Sequence, residues 1–137
     1  MIVAPVWAAL PVAAAVAVPP VFTCVSRAGV TTCTGTTTEA AGLTSQFKIE
    51  VPSNWNGTLA LYSHGYSFGP STATDVGDPG TGKWLLDIGY ALAGSSYSRS
   101  GWALEQAFQD QIAALDVFAA KFGKPKRTIA WGHPWAG

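Results

Sequence analysis

The stretch Thr128-Ile129-Ala130-Trp131-Gly132-His133-Pro134-Trp135-Ala136-Gly137 decides the fold. Thr128 to Trp131 is a short, mostly apolar run that ends in Gly132, which is how a buried strand reads. It opens at once onto Gly132-His133-Pro134-Trp135-Ala136-Gly137, whose small residues let a chain leave a strand sharply. In open α/β sheets, ligands and catalytic groups collect at the carboxyl ends of the strands. The residues that follow Trp131 are therefore the first candidate site residues.

Working back from this turn, Leu104, Phe108, Ile112, Leu115, Phe118 and Phe122 recur at steps of three or four, the signature of a long helix. Gly123 and Pro125 stop it, and Lys121 lies near the negative end of its dipole. Tyr90 to Gly94 is a second buried strand that delivers Ser95, Ser96 and Tyr97 at its carboxyl end. Before it, Asp78 caps a helix with Pro79 at its first position, and Gly89 ends it. Trp84, Leu85 and Ile88 are the expected inner face of that helix.

Thr58 to Ser63 is another apolar strand, and it delivers His64, Gly65 and Tyr66. The Asn56-Gly57 turn precedes it, and Phe47, Ile49 and Val51 alternate with Lys48 and Glu50 in a half-exposed strand. Residues 23–44, rich in Thr, Gly and Ala, read as an irregular segment or edge strand. Strands alternating with helices imply an α/β architecture, a mostly parallel sheet with crossover helices. Trp102 and Trp131 are expected in the core.

Composition narrows the function. Charged residues make up 12% of the 137, with formal net charge zero, against a usual share of roughly 25%. No basic patch is present to neutralise phosphates, so nucleic acid is not an expected partner. Gly77-Asp78-Pro79-Gly80-Thr81-Gly82-Lys83 has the spacing of a phosphate-binding loop, but Trp84 stands where Ser or Thr must hold magnesium. No Cys/His cluster is present, so neither a metal nor a cofactor is implied.

Ile2 to Val21 carries no charged side chain, and Ala15-Val16-Ala17 offers a small-x-small cleavage pattern. Residues 1–22 are expected to be a signal peptide and the protein to be secreted, extracellular or periplasmic. A membrane anchor and an ordinary buried segment are the rival readings, and Pro5, Pro11, Pro19 and Pro20 oppose a spanning helix. No stable membrane anchor is therefore expected. In an oxidising compartment Cys24 and Cys33 close a small loop; two unpaired thiols are the alternative.

The strand that runs into Gly132-His133-x-x-small-Gly137 resembles the nucleophile elbow of the α/β-hydrolases, usually Gly-x-Ser-x-Gly. His64-Gly65 resembles the family's oxyanion loop, and both motifs fall in the family's order. The resemblance covers Ser45 to Gly137 and is similar to secreted bacterial serine esterases and peptidase-like hydrolases. It implies an acyl-enzyme mechanism on a small ester or peptide-like substrate, with oxyanion donors from Gly65, Tyr66 and Trp135. It also implies that 45–137 is the amino-terminal half of an α/β-hydrolase domain, truncated at the elbow.

The departure lies at Pro134, which has no hydroxyl to attack a carbonyl. The acid and histidine that complete the family's triad follow the nucleophile, so this chain is expected to be inactive in acyl transfer. A one-base deletion accounts for the ending. Ser-Met-Gly-Gly encoded TCC-ATG-GGC-GGG becomes Pro-Trp-Ala-Gly when the first T is lost, and that matches residues 134–137. A diverged serine-less protein is the alternative, as is a non-catalytic exported binding or structural domain derived from the fold. His64, Ser95, Ser96 and Tyr97 are candidates for the substrate pocket. The competing reading is that the two serines only satisfy their own loop.

Overall fold

The computed structural model describes residues 18–39, 41–69 and 75–132. Their elements are β1 (Val21–Arg27), β2 (Val30–Thr38), β3 (Thr44–Pro52), β4 (Thr58–Ser63), α1 (Pro79–Asp87), β5 (Ala91–Ser95), α2 (Leu104–Phe122) and β6 (Arg127–Gly132). The strands form one six-stranded sheet in the order β1-β2-β3-β5-β4-β6.

The sheet is mixed and mostly antiparallel, not mostly parallel as the sequence pattern implies. β1, β2, β3 and β5 pair antiparallel in turn, and only β4 with β5 and with β6 is parallel. The difference comes from residues 23–44, which form most of a regular hairpin instead of an irregular segment. Its turn is Ala28-Gly29, both at positive φ (50° and 77°), the conformation that matches the twist of flanking strands. Thr is β-branched and suits a pleated surface. In β2, Cys33 and Thr37 point inward while Thr34 and Thr36 face solvent.

Cys24 lies directly opposite Cys33, and the two are bridged. Val21 and Phe22, the last residues of the expected leader, belong to β1, and Phe22 packs edge-on against Phe47 at 6.0 Å. Residues 1–17, the greater part of that leader, lie outside the described residues.

The two helices cover opposite faces of the sheet. Ala114, Val117 and Phe118 of α2 pack with Phe47, Ile49, Leu59, Leu61, Ala91 and Ala93. Leu85 of α1 packs with Ala60, Val76 and Leu92 on the other side. Covered on both faces, β4 and β5 read as nearly continuous apolar runs.

Asp78 caps α1 by accepting the Thr81 N–H at 2.8 Å, and Gly89 (φ +90°) follows its end. Tyr90 N–H donates to the Leu85 carbonyl and Gly89 N–H to that of Leu86, which closes the last turn. The inner face differs from the expected one. Gly82 and Leu85 are buried, whereas Trp84 is 59% and Ile88 41% exposed. Gly82 sits so close that a Cβ would lie 3.3 Å from Leu92 Cδ1, so a missing side chain sets the contact face.

Strand β6 also departs from expectation. It is exposed along most of its length, with Ile129 at 40%, because it is the outer strand among the described residues.

Candidate active site

Strands β4 and β6 run parallel with Ser63 opposite Gly132, so their carboxyl ends leave the sheet side by side. Gly132 lies so near the Ser63 carbonyl that a Cβ there would collide with it. The first glycine of the elbow-like motif is therefore required by packing. His133, Pro134, Trp135 and Gly137, the remaining residues expected at the elbow, lie outside the described residues.

At the same end of the sheet, His64, Gly65 and Tyr66 from the β4 loop meet Tyr97 from the β5 loop and the first turns of α2. They enclose a cleft of ≈ 540 Å³. His64 Nδ1 lies 2.8 Å from the Gly65 carbonyl and Nε2 3.1 Å from the Ser96 carbonyl. Its ring stacks on that of Tyr97 at 3.9 Å. A neutral imidazole donates to one of these two carbonyls, and that bond together with the stacking makes His64 a brace of the cleft wall.

Tyr97 adopts φ +58°, a left-handed conformation uncommon outside glycine. Its N–H donates to Ser95 Oγ at 3.2 Å, and its hydroxyl accepts from Gln111 Nε2 at 3.2 Å. Burial raises the Tyr97 pKa above the usual 10.0, against the lowering effect of hydrogen bonds with Ser63 and Gln111.

Of the four pocket candidates, His64 and Tyr97 line the cleft and the two serines do not. Ser95 and Ser96 are 3% and 4% exposed. Ser96 Oγ accepts the Gln46 N–H at 2.9 Å and donates to the Tyr97 carbonyl at 3.2 Å. Gly65 and Tyr66, the oxyanion candidates, are on the cleft wall.

Several residues of the site escape a reading of the sequence. Gln111 Nε2 donates to Ser63 Oγ at 2.7 Å, which joins α2 to the end of β4. Asp110, 2% exposed, accepts the Ser98 N–H at 2.6 Å and anchors the β5 loop. Both are polar residues inside an amphipathic helix. Asp110 falls in helical register with Ala114 and Val117, the one signal that marks it as inward-facing.

The expected stripe of α2 splits. Phe118 is fully buried, but Leu104, Phe108 and Ile112 are 66%, 66% and 54% exposed. Leu104 and Phe108 line the cleft instead of the core. Trp102, expected in the core, is 86% exposed on the cleft rim, where its ring meets Tyr66 at 5.7 Å. Trp131 is partly buried against Leu92 and Tyr62, and its Nε1 finds no hydrogen-bond partner among the described residues. In the phosphate-loop-like segment, Lys83 is spent on Asp87 at 2.6 Å in solvent.

No protein-family model and no curated protein matches the chain. Among solved structures it is similar to a cold-adapted esterase from an Arctic intertidal metagenomic library, with TM-score 0.57 and 19% identity. That likeness covers 80% of this chain and 53% of the esterase. It is also similar to an acetyl xylan esterase from Paenibacillus sp. R4, with TM-score 0.53 and 16% identity over 82% of this chain and 45% of that one. The chain spans about half the length of these structures. At such identities the likeness is one of fold: a mixed six-stranded sheet with two helices, matching esterases of the α/β-hydrolase fold.

Proposed function

We propose that this chain carries the oxyanion-loop side of an exported serine hydrolase active site for ester or amide bonds, and is itself catalytically inactive. The observation that carries the proposal is the β4–β6 register. It sets Ser63 beside Gly132, so the His64-Gly65 loop and the elbow-like motif start from neighbouring strand ends. That is the arrangement in which backbone N–H groups from two loops converge on one reacting carbonyl. Pro134 in the nucleophile position supports inactivity, and the Cys24–Cys33 bridge supports an oxidising compartment.

The test is fluorophosphonate labelling and p-nitrophenyl acetate turnover by the full chain, together with resequencing of the source DNA through codon 134. No serine labelling is expected. A shifted frame that restores Ser-Met-Gly-Gly and continues to an acid and a histidine supports the hydrolase reading. Labelling of this chain at a serine overturns its inactivity. An intact frame without serine overturns the enzyme reading in favour of a binding domain.

A further inference from the structure

The cleft is lined by rings and by neutral polar groups. Tyr66, Phe68, Trp102 and Phe108 form its mouth. The Tyr66 ring meets Phe68 edge-on at 4.7 Å and Trp102 at 5.7 Å. Phe68 and Trp102 are nonetheless 92% and 86% exposed. Two large aromatic side chains left in water at the mouth of one cavity are what a ligand contact surface looks like.

The inner end is different. Ser63 Oγ, Tyr97 Oη and the Gln111 amide are joined by hydrogen bonds of 2.7 Å and 3.2 Å. Among the described residues, no Lys, Arg, Asp or Glu lines the cleft. Among the described lining residues the ionisable ring besides the tyrosines is His64, whose nitrogens are turned to backbone carbonyls and away from a ligand. A carboxylate or ammonium entering here loses water and gains no counter-charge, which is costly. A neutral polar group costs less to desolvate, and the Ser63–Tyr97–Gln111 cluster gives it a polar wall to lie against. The volume of ≈ 540 Å³ falls within the ~300–1,000 Å³ of small-molecule sites.

We propose that this cleft selects a neutral ligand with a planar aromatic ring, its ring against Tyr66 and Trp102 and its polar group at the Ser63–Tyr97–Gln111 end. In reaction terms that is the ester or amide of an aromatic acid. The proposal rests on the reading of this cleft as an ester or amide site and adds the substrate class.

The experiment compares three probes of similar size on the full 137-residue chain by isothermal titration. They are methyl benzoate, methyl cyclohexanecarboxylate and benzoate. Methyl benzoate is expected to bind ~2–10-fold tighter than the cyclohexyl ester, the margin that ring–ring geometry adds beyond buried area. Benzoate is expected to bind at least ~10-fold more weakly than its methyl ester, since its charge has no partner.

Trp102→Ala and, independently, Phe68→Ala should erase the aromatic preference, and both side chains are too exposed for their loss to unfold the chain. Ile112→Ala, exposed outside the cleft, should leave it intact. Equal binding of the two esters, or a preference that survives both cleft variants, overturns the aromatic proposal and leaves the ester-site reading standing. If neither ester binds, both fall.

Discussion

The His64 imidazole is stacked on the Tyr97 phenol, with ring centroids 3.9 Å apart and planes inclined by 27°. This pair ties the loop after β4 to the loop after β5 at the end of the sheet where the cleft opens. It explains how Tyr97 holds a left-handed backbone: the ring is fixed by His64, and the hydroxyl accepts from Gln111. A histidine in this position invites a catalytic role, but its geometry makes it part of the wall.

The phenol of Tyr97 gives stability a defined alkaline dependence. Burial raises its folded pKa above the ordinary 10.0. The unfolded chain therefore releases this proton first, and the contribution is fully present below 10.0 and lost as pH rises through the folded value. Tyr62 is shifted the same way, by burial and by Asp75. Urea midpoints measured on either side of 10.0 should fall with pH, and less steeply in Tyr97→Phe. Identical slopes in the two proteins contradict the assignment.

Asp110 is the hidden anchor of the β5 loop. Asp110→Ala leaves the Ser98 N–H without its 2.6 Å acceptor, and should cost about 1.5–3 kcal/mol, the range for hydrogen bonds to charged groups. Asp110→Asn keeps an acceptor oxygen and should lose less. Chemical denaturation of both variants measures the difference.

The two halves of α2 should respond unequally to truncation. Phe118 is 0% exposed and packs edge-on against Trp55 at 5.3 Å, so Phe118→Ala should destabilise by about 3–5 kcal/mol. Phe108, on the cleft side, should change stability by no more than about 0.5 kcal/mol when replaced by Ala. Comparable losses at both positions would return the whole stripe to the core.

Gly77 adopts φ +109°, and a Cβ there would collide with the Trp131 ring. Gly77→Ala should cost about 1–3 kcal/mol through overpacking, with backbone strain added. Combining it with Trp131→Leu should recover part of the loss, which thermal unfolding of the single and double variants will show.

Local chemistry determined much of this protein. The alternation of Phe47, Ile49 and Val51 marks β3, Asp78-Pro79 starts α1, and Gly89 and Gly123 end the helices. These signals act within a few residues, so they survive without knowledge of neighbours. The loops after β4 and β5 were also legible, because a strand's end is visible wherever its apolar run stops.

What lay beyond the sequence depends on partners distant along the chain. The hairpin of β1 and β2 turns the sheet mostly antiparallel, although a Thr- and Gly-rich run shows no periodic apolar face. Whether Leu104, Phe108 and Trp102 face core or cleft depends on where the sheet ends beneath α2, and their hydrophobicity is the same in either place. Gln111 and Asp110 acquire their roles only when folding brings Ser63 and Ser98 within hydrogen-bond reach.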